Sequence, residues 1–248
     1  MYKRQDKAAS LGLLYLGGLN VQQVSDEITG NFDYSLSEED LVTVRKKFLS
    51  AGVTLVSYYI HDIPDEEEIC KQIFEFGRKM GIETFISEPR VEALDLIEKY
   101  CEKYDIKLAI HNHGKDISPV YWDPETLLEV CHNRSPLIGA CGDFGYWSRS
   151  SINPLDAVRL LGDRLITIQL HDLDKMGPDG QDVAWGMGEI EMDALIRHLG
   201  KSGVKPSLFG LEYSRDWDQE RPEIKQSIEY FNDVCLKMVG SQQAGNNK

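Results

Sequence analysis

From residue 11 onward, short apolar runs alternate with amphipathic stretches. The apolar runs cover residues 11–19, 53–60, 83–87, 106–111, 137–141, 165–171 and 207–212. Most lack strict in/out alternation, as strands buried on both faces of a parallel sheet do. The stretches between them carry helical signals. Ser37-Glu38-Glu39-Asp40 opens one that stops at Gly52, and Asp65-Glu66-Glu67-Glu68 opens one that stops at Gly81. Acidic first turns and a glycine just past the last turn mark helix ends. A third stretch covers residues 91–104, with Leu94, Ile97 and Cys101 on one face. Pro124, Pro154 and Pro222 stand where three later helices begin. Residues 192–199 and 223–238 give two more, the former ending at Gly200 or Gly203.

Strand and helix alternating along a whole chain predict a parallel α/β fold. No composition break divides residues 11–239, which predicts one domain. Residues 1–10 read as a disordered or non-native lead-in and residues 240–248 as a flexible tail. Gly17-Gly18 has no helix-opening GxGxxG around it, which argues against an open doubly wound sheet. Polar residues crowd the C-terminal ends of several strands instead, the mark of a (β/α)8 TIM-type barrel. Seven units are visible where that barrel has eight. The expectation is a barrel lacking its first β/α unit at the N-terminus, or an open seven-stranded one.

Composition narrows the function. The 248 residues are 42% hydrophobic with a formal charge of −14, which fits a folded chain and argues against nucleic-acid binding without excluding a small local basic pocket. No apolar run approaches the ~18 residues of a membrane span. The five cysteines are odd in number and form no CxxC pair, which predicts buried reduced thiols in a reducing compartment. The first residues lack an apolar signal core. A cytoplasmic location and a small-molecule ligand follow as expectations, with a homo-oligomer left open.

The candidate chemistry sits at the strand ends. His111-Asn112-His113-Gly114 places two imidazoles on one side of a strand end, a metal or proton-transfer pair. Asp143, after residues 137–141, could ligate a metal or merely cap its own loop. Gln169 and His171 share a face, and Asp172 reads as an orienting or capping carboxylate. Glu212 ends the last apolar run, costly for a carboxylate unless paired or metal-bound. Glu88 is a weaker strand-end candidate. Four polar ends converging on one mouth suit a divalent ion, Mn²⁺, Co²⁺, Zn²⁺ or Mg²⁺. Trp122, Trp147, Trp185 and Trp217 all lie in strand-to-helix loops, where rings could stack on a sugar or simply pack.

Ser87-Glu88-Pro89, His111-Asn112-His113-Gly114, Asp143-Phe144-Gly145-Tyr146-Trp147, Trp185-Gly186-Met187-Gly188 and Glu212-Tyr213 together resemble the xylose isomerase-like TIM-barrel superfamily. Within it, the sugar phosphate isomerase/epimerase group is the most similar. The resemblance runs from about Leu11 to Phe231 and makes residues 11–19 the second strand. It implies one metal ion held by His111, Asp143, Gln169 and Glu212. His111 replaces the usual Glu, and Gln169 stands where His is usual, with His171 two residues on as its substitute. Tyr146 replaces a histidine near the substrate, and Gly17 a glutamate.

The resemblance implies a metal-dependent sugar isomerase or epimerase that abstracts a proton beside the carbonyl of a keto sugar or polyol. Glu88, His113 and His171 are the expected proton carriers, and Tyr146, Trp147 and Trp185 the substrate-binding residues. A lyase eliminating across a 3-keto-glycoside would share the same first step. An endonuclease IV-like barrel would need a basic groove, which the charge opposes. A non-catalytic sugar-binding barrel is the remaining alternative.

Overall fold

All seven apolar runs become strands: β1 (Tyr15–Leu19), β2 (Thr54–Tyr59), β3 (Thr84–Ser87), β4 (Lys107–His111), β5 (Ile138–Asp143), β6 (Leu165–Leu170) and β7 (Leu208–Leu211). Their order across the sheet follows the chain. The computed structural model of the chain describes residues 2–202, 204, 206–212 and 222–246. The helices are α1 (Tyr2–Ser10), α2 (Glu38–Ala51), α3 (Glu67–Met80), α4 (Leu94–Tyr104), α5 (Pro124–Cys131), α6 (Phe144–Arg149), α7 (Pro154–Leu161), α8 (Met192–Ser202) and α9 (Pro222–Asn246). This is the parallel α/β pattern of a TIM-type barrel with seven strand–helix units.

The chain forms two compact units, Met1–Ile110 with Asn133–Gly139, and His111–His132 with Ala140–Lys248. The boundaries pass through β4 and β5 rather than through a linker, so no composition shift marks them.

In the first unit, β1 pairs parallel with β2, β2 with β3 and β3 with β4. Its core is aromatic. Phe32 meets Tyr58 and Phe76 edge-on, each at 5.5 Å, and Phe85 packs on Phe74 at 5.2 Å. The buried Tyr58 hydroxyl donates to the Phe32 carbonyl, as a buried phenol requires. The helix signals hold here. Ser37 Oγ accepts from Asp40 N, and Gly52 and Gly81 end α2 and α3 in the left-handed region at φ 67° and 75°.

In the second unit, β5 pairs parallel with β6, and β6 with β7. Asp123 and Asn153 cap α5 and α7 ahead of Pro124 and Pro154. No disulfide joins the five cysteines, and four of them are buried.

Residues 2–10 form α1, which buries Gln5 and Ala8. The last helix runs on through Gly240 to Asn246. One expectation is corrected. β1 is mostly exposed or half-buried rather than buried on both faces. Among the described residues its ladder is with β2, as at a sheet edge. No described helix is long and apolar enough to cross a membrane.

Candidate active site

Parallel strands finish at one edge of a sheet, so residues at their C-terminal ends share that edge. In the second unit His111 closes β4, Asp143 closes β5, Gln169 is the last but one residue of β6, and His171 and Glu212 directly follow β6 and β7. Ligand atoms of Asp143, His171 and Glu212 all lie within 4.8 Å of one another. Asp143 Oδ2 is 3.5 Å from His171 Nε2 and 3.6 Å from His111 Nε2. His111 Nε2 donates to Gln169 Oε1 at 2.7 Å.

The backbone around Asp143 is fixed by its neighbours. The Asn112 side chain donates to Asp143 O at 3.0 Å and accepts from Asp143 N at 2.7 Å. Asp143 Oδ1 accepts from Tyr146 N at 2.8 Å and caps α6. The loop-capping role weighed from the sequence therefore uses one carboxylate oxygen. Oδ2 remains, buried and with no hydrogen bond among the described residues. His171 shows the same division. Nδ1 donates to Asp182 Oδ1 at 2.8 Å, while Nε2 is buried without a hydrogen bond among the described residues. The two atoms face each other as a long ion pair, too far apart for a good hydrogen bond. A cation between this carboxylate oxygen and this imidazole nitrogen would satisfy both directly, so these residues fit a divalent ion.

The charges are strongly coupled. Burial pushes the Asp143 carboxyl up, but the His171 and His111 imidazoles outweigh it and hold the group far below the usual range. Burial pulls His171 down, but Asp143, Asp182 and Glu212 prevail and raise it to about 10. Burial, then the Asp143 charge, raises Glu212.

The loop after β6 is equally ordered. Asp172 accepts four backbone N–H groups: Leu173 and Ile190 on Oδ1, Gly186 and Gly188 on Oδ2. A Cβ at Gly188 would lie 2.2 Å from Asp172 Oδ1, so only glycine allows that approach. Asp172 thus has the loop-capping role read from the sequence. Leu173 and Asp182 form an antiparallel bridge across the loop.

The xylose isomerase-like TIM barrel family matches residues 18–234. The chain belongs to this family. Among solved structures, this xylose isomerase-like chain is similar to an uncharacterized protein from Parabacteroides distasonis ATCC 8503, with 29% identity and a TM-score of 0.74 over 94% of this chain and 92% of that one. It shares the fold of a D-psicose 3-epimerase solved in the presence of D-fructose, with 13% identity, a TM-score of 0.70, and 95% and 91% of the two chains covered. Uncharacterized protein y4fM of Sinorhizobium fredii (strain NBRC 101917 / NGR234) is 23% identical over 131 residues, 53% of this chain. That match spans 41% of the relative's length.

The remaining residues singled out from the sequence of this xylose isomerase-like chain fall into three groups. His113 is half-buried beside the cluster, its ring 4.4 Å from His111 and 4.6 Å from the half-buried Tyr146. Glu88 follows β3 in the first unit, where Tyr59 Oη donates to its Oε1 at 3.2 Å and His61 lies 4.0 Å away. Trp147 and Trp185 are not open stacking platforms. Trp147 is wholly buried, stacked on Phe144 and pressed against Gly142. Trp185 is 7% exposed and packs edge-on against Phe231 of α9. Both follow the bland reading of loop aromatics as packing. Trp122 is half-buried with Lys115 Nζ 4.8 Å from its ring centre. Trp217 and Tyr213 lie outside the described residues. The sequence gives Asp182 no role, although it opens the glycine-bearing stretch that runs through Trp185 to Gly188, and nothing in the sequence singles out Arg149.

Proposed function

We propose that this chain is a metal-dependent sugar isomerase or epimerase acting on a keto sugar or related polyol. The observation that carries the reading is the convergence of Asp143, His171 and Glu212, with Asp143 Oδ2 and His171 Nε2 buried and lacking hydrogen bonds among the described residues. These three residues would hold the ion, with His111 and Gln169 beside them. A mixed N/O set suits Mn²⁺, Co²⁺, Zn²⁺ or Mg²⁺. Such an ion supplies Lewis-acid polarisation of a carbonyl when bound.

The chain's own residues do the rest. His113 stands half-buried against Tyr146 and takes or returns the proton beside the carbonyl. Tyr146 offers a half-buried aromatic face to a sugar ring. The family membership, and the fold shared with a D-psicose 3-epimerase, support a carbohydrate substrate.

The test is a ketose screen that starts with D-fructose, with Mn²⁺ or Co²⁺ added and products separated by chromatography. Epimer or aldose formation is expected. His113→Ala should lower turnover about a hundredfold or more. Turnover within about tenfold of the parent, roughly 1.4 kcal/mol, would contradict the role given to His113. An unsaturated product would mark elimination instead of isomerisation.

A further inference from the structure

Asp182 is a buried carboxylate to which the proposed proton transfers give no task. It sits on the returning segment of the loop after β6, eleven residues beyond His171. The loop is built so that it arrives at His171. Asp172 ties residues 173, 186, 188 and 190 to one point. The Leu173–Asp182 bridge sets the register of the returning segment. Arg149, at the end of α6, donates from Nε to Gly180 O at 3.2 Å and brings Nη2 within 3.3 Å of Asp182 Oδ1. Gly145 leaves the space in which this happens. A Cβ there would lie 2.7 Å from His171 Cγ and 2.7 Å from Arg149 Nη1.

We infer that Asp182 is a positioning residue for His171, with Arg149 as its counter-charge. It holds a proton on Nδ1 and so aims Nε2 at Asp143 and Glu212, the nitrogen that a cation would take in exchange for its proton. The inference rests on the metal reading of that cluster. An imidazole can present Nε2 to a cation only if its other nitrogen keeps the proton, and a carboxylate accepting from Nδ1 enforces this. A buried carboxylate is itself costly unless paired, and here both partners are at hand.

The experiment uses the full chain and Co²⁺ alone as probe, followed by titration of its visible absorption. Asp182→Ala should weaken Co²⁺ binding about 10–100-fold. Asp182→Asn, whose Oδ1 still accepts from Nδ1–H, should recover most of that loss and guards against a variant that fails to fold. The independent readout is proton NMR of the metal-free chain. The parent should show a slowly exchanging low-field Nδ1 proton, identified by its loss in His171→Gln. It should vanish in Asp182→Ala and persist, shifted upfield, in Asp182→Asn. Asp182→Ala with unchanged Co²⁺ affinity overturns the inference, and so does an unchanged low-field proton. A parent chain that binds no Co²⁺ contradicts the proposed function instead. The low-field proton then decides alone whether Asp182 orients His171.

Discussion

At the scale of single residues, the site depends on contacts with no slack. Gly145 is the clearest case, because its missing side chain is the space that His171 and Arg149 occupy. The Arg149 guanidinium could swing aside, but the His171 ring is buried and bonded through Nδ1. Gly145→Ala should therefore displace the imidazole. Co²⁺ affinity is expected to fall at least about tenfold while far-UV circular dichroism stays native, a loss within the range seen when a ligand's support is disturbed. Unchanged affinity would mean that His171 is not held as described.

The same residues predict how stability varies with pH in the metal-free chain. His171 is raised from 6.5 to about 10, so its contribution is complete below about pH 6.5 and is lost as pH rises toward 10. Glu212, also raised, acts in the same direction from lower pH. Asp143 is depressed, so its contribution is present above the ordinary carboxylate range and lost only in strong acid. The thermal midpoint should fall between pH 6.5 and 10, and His171→Gln should flatten that decline. A midpoint that rises over this range would contradict the ion pairing.

Much of the residue-level site was legible. His111, Asp143, Gln169, His171 and Glu212 stand out because each puts a polar group at the end of an apolar run. The roles within the cluster were less so. The choice between Gln169 and His171 turns on which nitrogen or oxygen is already engaged: Gln169 Oε1 accepts from His111 and Cys141, and His171 Nδ1 donates to Asp182. Trp147, read as a loop residue, lies within α6 and is buried against Phe144, because the helix starts directly at the end of β5. Arg149 gave no signal, since an arginine in a short helix is ordinary.

At the scale of elements, strands were easier to read than helices. Strands buried on both faces leave continuous apolar runs, and β2 to β6 are largely buried as those runs require. α1 escaped notice because residues 2–10 are mostly polar, with Gln5 and Ala8 the buried ones among residues 4–10. α6 escaped because its first turn follows β5 directly, with Asp143 serving as strand end and helix cap at once. The loop between β6 and α8 read as a turn-rich stretch, yet it is held by one carboxylate. Asp172→Ala removes the acceptor of four backbone N–H groups, two of them in buried bonds. It should destabilise the chain by about 2 kcal/mol or more, since each buried donor left without a partner costs about 1–3 kcal/mol. Hydrogen exchange at residues 173, 186, 188 and 190 should accelerate well before global unfolding. Protection equal to the parent would show that the loop is held by something other than Asp172.

At the scale of the whole molecule, the alternation of strand and helix decided the architecture. It did so because a parallel connection needs a crossover, usually a helix, and repeated crossovers leave few alternatives. The division into two units was not legible, because it cuts through β4 and β5. The formal charge of −14 favours a cation over an anionic partner in the surrounding field, consistent with a site built from two carboxylates and imidazoles.

The central claim is that Asp143, His171 and Glu212 form a metal site. Elemental analysis of the purified chain, beside an Asp143→Ala/Glu212→Ala variant, tests it most directly. The account predicts about one divalent ion per chain in the parent and none in the variant. No ion in the parent, even after reloading with Mn²⁺, Co²⁺ or Zn²⁺, would contradict it, as would an ion that the double variant retains.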